Sequence, residues 1–81
     1  TGLSRRRFLV LLGRIAAFEP SSDLIWLPRR EEIGAMLDMT METASRLVSA
    51  LKREGVIELL PPSHARLDRI RWRQTLAHLD G

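Results

Sequence analysis

The feature that most constrains this chain is the run from Glu31 to Ile57, EEIGAMLDMTMETASRLVSALKREGVI. It predicts a short helix, a tight turn at Asp38 and Met39, and a longer helix that ends before Gly55. In the longer helix the large apolar residues recur on one side, and charged and hydroxyl side chains occupy the other. Such a helix can pack on a domain with one face and offer donors and acceptors with the opposite face, as reading of the DNA major groove requires.

The caps and apolar stripes of the two motif helices can be assigned from the same run. The first is expected to begin at Arg29 or Arg30, and its predicted buried stripe comprises Ile33, Met36 and Leu37. Thr40 is expected to be the N-cap of the second helix, which runs from Met41 to Glu54. One face of the second helix carries Ala44, Leu47, Val48 and Leu51.

The segments on either side predict four further elements. Helical spacing predicts a first helix from Ser4 to Phe18 with Ser4 as its N-cap, and Leu24–Leu27 predicts a brief strand. Val56–Leu60 and His64–Leu67 predict a β-hairpin, and Asp68 is expected to cap a last helix from Arg69 to about Leu79. This order predicts an α+β fold, a winged helix-turn-helix that is mainly helical with a small β-hairpin wing.

Composition narrows the class of protein further. The 81 residues suffice for one small domain, and the absence of cysteine excludes disulfides and thiolate metal sites in this chain. Twelve of the 13 basic residues are Arg, whose planar fork suits phosphate and guanine edges. A GC-rich genome would explain the same Arg content, so that alternative stays open. No apolar run approaches the ~20 residues that span a bilayer, so we expect a cytoplasmic protein with no membrane contact.

The polar side of the helix predicted over Met41–Glu54 carries the candidate DNA-binding residues. Successive helix residues are about 100° apart, so Ser45, Arg46, Ser49 and Arg53 lie within about 60° of Glu42. Arg can bond guanine O6 and N7 together, Glu can accept from cytosine N4, and Ser can serve either way. Glu42 and Arg46 are four residues apart and can brace each other. An ordinary solvated helix face is the alternative interpretation.

The run LPRREEIGAMLDMTMETASRLVSALKREGVI resembles the DNA-binding domain of the Crp/Fnr transcription regulators. The matching features are Ile33-Gly34, Leu37 before the turn, Thr40 at the cap, Glu42-Thr43-Ala44-Ser45-Arg46, the exit Lys52-Arg53-Glu54-Gly55-Val56-Ile57, and the later Asp68. The resemblance covers roughly Leu27 to Leu79, and it implies that Glu42, Ser45 and Arg46 read bases. A Ser at position 45 is similar to the Fnr-type branch of the family. This similarity implies that the DNA target is a palindrome with half-sites similar to TTGA.

Contacts with the DNA backbone are expected from a second set of residues. Arg29 and Arg30 stand at the front of the first motif helix, which crosses the backbone in such domains. Hydroxyl and basic groups along the second helix can also contact phosphate; these are Thr40, Thr43, Ser49, Lys52 and Arg53.

The chain departs from the family pattern at three places. Asp38 replaces the usual turn glycine, and we expect it to keep the turn because Asp tolerates left-handed φ. Met41 stands where some members have a polar reader. It either touches a thymine methyl or simply packs, so the sequence assigns it no base specificity. The wing tip, residues 60–63, lacks the basic or glycine residues that often touch phosphate.

The resemblance also implies how this chain relates to a larger protein. Members of the family are similar in having an N-terminal β-barrel sensor and a long helix that makes the dimer, and this sequence has neither. Residues 1–19 are then the helix that follows the hinge and dimerisation region, and residues 24–81 are the DNA-binding domain, in a single domain overall. The chain begins with Thr1 rather than Met, so we expect a piece of a longer protein.

The implied partners follow from this organisation. They are double-stranded DNA, a second copy in a full-length homodimer, and RNA polymerase. No cofactor is expected in this chain, whereas an effector is expected to bind the missing sensor domain.

Two other classes of function bear on the same sequence. A winged-helix module for protein–protein contact with weak DNA affinity is the alternative, because the charge is nearly balanced and the wing tip contains two prolines. An enzyme is not expected, since there is no paired base and nucleophile, no phosphate loop and no metal-ligand spacing. His64 and His78 are far apart in sequence, and surface or packing roles are expected for both.

Overall fold

A computed structural model describes residues 2–80, which form four helices and three strands. In chain order these are α1 (Gly2–Ala16), β1 (Leu24–Trp26), α2 (Arg30–Leu37), α3 (Met41–Arg53), β2 (Ile57–Leu60), β3 (His64–Leu67) and α4 (Arg69–Asp80). This order confirms the predicted α+β winged helix-turn-helix, in which α2 and α3 are the motif helices. In the part of the chain that the structure describes, no helix is long and apolar enough to cross a membrane.

Local chemistry explains where the motif helices begin and end. The Thr40 Oγ1 accepts a hydrogen bond from the Thr43 amide at 3.1 Å, which makes Thr40 the N-cap of α3 as predicted. Asp38 adopts the left-handed conformation in the turn, with φ 55°. Gly55 follows the end of α3 and also has a positive φ, 77°, as a residue that terminates a helix often does. The predicted N-cap of α4 is also present, since the Arg71 amide donates to Asp68 Oδ1 at 3.0 Å.

Several predicted boundaries are wrong by one or two residues. Helix α1 begins at Gly2, so Ser4 lies inside the helix and is not its N-cap. The same helix ends at Ala16, which leaves Phe18 outside it and exposed. The sequence likewise predicts that Leu27, Glu54 and Val56 belong to β1, α3 and β2, and each lies one residue outside the observed element. Helix ends are defined by capping contacts that hydrophobic periodicity does not report.

The three strands form one antiparallel sheet in the order β1-β3-β2, and the β2–β3 hairpin is the wing. Ala65 of β3 lies opposite Ile25 of β1 and Leu59 of β2. Because side chains alternate along a strand, these residues share the inner face of the sheet. On the outer face, His64 lies opposite Trp26.

The core lies between the helices and the inner face of the sheet. Its largest fully buried side chains come from α1, α2, α3 and the strands, and they include Phe8, Leu9, Leu12, Ile33, Val48, Leu51 and Leu67. The predicted apolar stripe of α3 is buried at Ala44, Val48 and Leu51 and partly buried at Leu47.

The predicted buried stripe of α2 is wrong at Met36, which is 52% exposed. Gly34 is buried instead, and a Cβ on Gly34 would lie only 2.6 Å from the Met39 carbonyl oxygen. The backbone of α2 therefore packs directly on the turn. Met36 is about 160° away from Gly34 around the helix axis, so it points outward.

Side chains of helix α4 form hydrogen bonds to α1, to the loop after it and to the residue that follows α3. The Trp72 Nε1 donates to the Leu9 carbonyl at 2.7 Å, and the Arg71 Nη1 donates to the Glu54 carbonyl at 3.2 Å. The Arg69 guanidinium lies over the end of α1, where it donates to the carbonyl oxygens of Ala16, Glu19 and Ser22. The two arginines therefore add donors to carbonyl groups at and just after the ends of α1 and α3, whereas Trp72 bonds to the middle of α1.

Candidate nucleic-acid interface

Helix α3 has one face in the core and one face in solvent. Ala44, Val48 and Leu51 are fully buried, and Leu47 packs partly against the same core. The opposite face carries the predicted base-reading and backbone residues. The sequence periodicity predicted this division correctly, because an amphipathic helix buries its apolar side.

The Glu42 and Arg46 side chains form an ion pair on the solvent face, with 2.8 Å between Oε1 and Nη2. The two side chains are 73% and 78% exposed, respectively, so neither takes part in the core. Exposed pairs at this spacing contribute only ~0.3–0.5 kcal/mol to folding. Their polar atoms therefore remain available to a partner, and the predicted brace between the two residues is present.

The remaining polar residues of α3 extend this face toward the end of the helix. Ser45 is half-buried beside Arg46, and Ser49, Lys52 and Arg53 are exposed. Basic side chains in the last turn also suit the helix dipole.

The negative charge of Glu54, which follows α3, is paired with a basic residue of α1. The Glu54 carboxylate accepts a hydrogen bond from the Arg5 guanidinium of α1. Sequence patterns did not find this pair, because its members are 49 residues apart. The outward face of α3 therefore carries three basic side chains, Arg46, Lys52 and Arg53, and one acidic side chain, Glu42, which is ion-paired with Arg46.

Two hydroxyl groups meet at the start of α3. The Thr40 hydroxyl accepts from the Thr43 amide and donates to the Thr43 Oγ1 at 2.9 Å. Both hydrogen-bonding functions of Thr40 are thus used within the cap. The Thr43 hydroxyl keeps its own proton, which can be donated to a phosphate oxygen.

The start of α2 presents two arginines beside the wing. The Arg29 side chain is exposed and lies 3.9 Å from Glu31, whereas Arg30 is half-buried. The Glu32 carboxylate accepts from the Arg29 amide at 2.9 Å, so it is turned back onto the helix. A groove separates these arginines from the wing tip, and it is lined on the wing side by Pro61, Pro62, Ser63 and His64.

The predicted site residues therefore lie on two elements. Glu42, Ser45 and Arg46 share the solvent face of the first two turns of α3, and the expected backbone residues continue along that helix and onto the start of α2. Across residues 2–80, no cluster of three or more His, Asp or Glu side chains could hold a metal ion.

Comparison with known proteins adds one match. A family model described as a Crp-like helix-turn-helix domain matches residues 6–79, which include α2, α3, the sheet and most of α1 and α4. Neither the curated proteins nor the solved structures gave a match.

Proposed function

The chain belongs to the Crp-like helix-turn-helix family, and on that premise we propose that it reads a specific duplex sequence with α3 in the major groove. Membership makes the chain a DNA-binding domain of a transcription regulator. The observation that carries the proposal is the exposed Glu42–Arg46 pair, which stands on the outward face of a helix whose other face is fully buried.

Three residues are assigned to the bases. Arg46 donates to guanine O6 and N7, Glu42 accepts from cytosine N4, and Ser45 serves as donor or acceptor. The ion pair supports this assignment, because a carboxylate that holds the guanidinium reduces the side-chain entropy that Arg46 loses on binding.

A second set is assigned to the phosphates. It comprises Arg29, Arg30, Thr40, Thr43, Ser49, Lys52 and Arg53, which are basic or hydroxyl residues on or beside the motif helices. Within the set, Thr43 is the better hydroxyl donor and Thr40 holds it in place, as their hydrogen bonds suggest. Phosphate contacts fix the register of the protein and carry no sequence information directly.

The proposed target is a palindrome with half-sites similar to TTGA, bound by a homodimer of the full-length bacterial regulator. Two half-sites read in successive major grooves lie one helical turn apart, or ~34 Å. In the full-length protein an effector would act on a preceding sensor domain, and RNA polymerase would be a further partner. A DNA partner of this kind implies a cytoplasmic location.

Selection of preferred duplexes from a random pool tests the proposal. We expect enrichment of one sequence with an inverted repeat, and a TTGA-like half-site in it. A pool that remains random after selection would refute sequence-specific reading by this domain.

A salt titration separates DNA binding from the alternative, a winged-helix module for protein contact. Log K for the selected duplex should fall against log salt with a slope of about −0.9 for each phosphate neutralised. A flat response with micromolar or weaker affinity would favour protein contact instead.

A further inference from the structure

Met41 is the first residue of α3, and its exposure bears on the two roles that its sequence position allows. Packing is one of them, yet Met41 is 58% exposed. Met39, two residues earlier, packs partly against the core, so a methionine in this turn can be buried where the fold requires it. The Met41 thioether is therefore not needed by the core.

The position of Met41 on the helix places it beside the residues assigned to the bases. It lies about 40° from Ser45 and about 100° from Glu42 around the helix axis. It is also in the first turn of α3, and the N-terminal part of a recognition helix is the part that meets base edges. The three residues assigned to the bases all end in polar groups.

We propose that Met41 is a specificity-determining residue that contacts the C5-methyl group of a thymine in the half-site; the inference rests on the proposed function. The thymine methyl is the one apolar group that base pairs present in the major groove. A flexible, polarisable thioether adapts its shape to such a group. Glu42, Ser45 and Arg46 end in polar groups that suit hydrogen bonds to base edges, so Met41 adds an apolar contact to their readout.

Replacement of single thymines by deoxyuridine tests the contact, because it removes the methyl group and leaves every hydrogen-bonding atom. Each thymine of the selected duplex is replaced in turn, and the affinity of the chain is measured. The wild type should lose about fourfold at one position of the half-site, as expected for one buried methyl group. Met41→Ala should bind the thymine duplex about as weakly as the wild type binds the deoxyuridine duplex, and should show no further loss on replacement.

Two control variants keep the result specific. Met36→Ala removes a methionine of similar exposure from α2 and should respond to deoxyuridine as the wild type does. Met41→Gln keeps the length of the side chain and should lose the response to the methyl group. Circular dichroism should report the same helix content for all variants, since Ala and Gln favour helices.

The inference is overturned if no single deoxyuridine lowers the affinity of the wild type, or if Met41→Ala responds to deoxyuridine as strongly as the wild type. Either result leaves the proposed function intact provided that Arg46→Ala still changes the base preference. If the wild type instead bound all duplexes with equal affinity, that result would refute the proposed function.

Discussion

Replacement of Arg46 by alanine separates the folding of this domain from its recognition of DNA. In the free domain the Arg46 side chain is 78% exposed, and it forms an ion pair with Glu42 at 2.8 Å. Such a pair four residues apart stabilises a helix by ~0.3–0.5 kcal/mol. For a domain of this size, a loss of that magnitude lowers Tm by about 1–4 °C, so Arg46→Ala should remain folded at the temperature of a binding assay.

The effect on recognition should be much larger. A bidentate contact between Arg and guanine contributes about 1–3 kcal/mol of discrimination against the wrong base, or about 5- to 150-fold in affinity. The loss should be confined to duplexes that carry the preferred base at one position of the half-site. At other positions the variant should keep the preferences of the wild type.

Competition binding against a panel of duplexes with every single-base change measures this difference. Arg73→Ala is the matched control, because it removes the same charge from an exposed position on α4. Arg46→Ala should flatten the preference at one base pair, whereas Arg73→Ala should leave all preferences in place. Unchanged preferences in Arg46→Ala, or an equal loss on every duplex, would show that Arg46 does not read a base.

Three further substitutions have expected outcomes. Glu42→Ala should change which base is preferred at its position more than it changes affinity for random duplex; equal losses on all sequences in the same competition assay would contradict base reading by Glu42. Arg69→Ala should destabilise the domain by about 2 kcal/mol, because it removes charge-assisted hydrogen bonds to three carbonyl groups, and water replaces these bonds only partly. Thermal unfolding should show a Tm about 8–16 °C lower, and an unchanged Tm would contradict this role of Arg69. Gly34→Ala should destabilise the domain by about 2 kcal/mol despite the higher helix propensity of Ala, since the new Cβ would clash with the Met39 carbonyl oxygen. The free energy of unfolding is measured in urea, and a gain in stability would contradict the close packing of α2 on the turn.

The helix-turn-helix could be predicted because its signals are local. The apolar spacing of α3, the Thr40 cap and the left-handed Asp38 each depend on residues within a few positions of one another, and all three are present in the structure. The exposure of Glu42 and Arg46 follows from the same spacing. Their assignment to particular bases stays a prediction that the DNA experiments address.

The parts that sequence patterns missed depend on distant residues or on the absence of a side chain. Arg69 ends α1 through contacts 47–53 residues away along the chain, so the spacing within α1 could not show that the helix stops at Ala16. Met36 looked buried because it is apolar and correctly spaced. Helix α2 instead buries Gly34, so Met36 lies on the exposed side, and a glycine gives no hydrophobic signal that would predict its burial.

The contacts of α4 limit the transfer of α3 alone into another protein. Three side chains from one stretch of α4 hold the middle of α1, the end of α1 and the carbonyl that follows α3. A minimal peptide that spans only α2 and α3 would lack all of these anchors, together with the sheet that covers the core. Engineering of a chimeric regulator with this specificity should therefore exchange the solvent-facing side chains of α3 and leave the host's own scaffold whole.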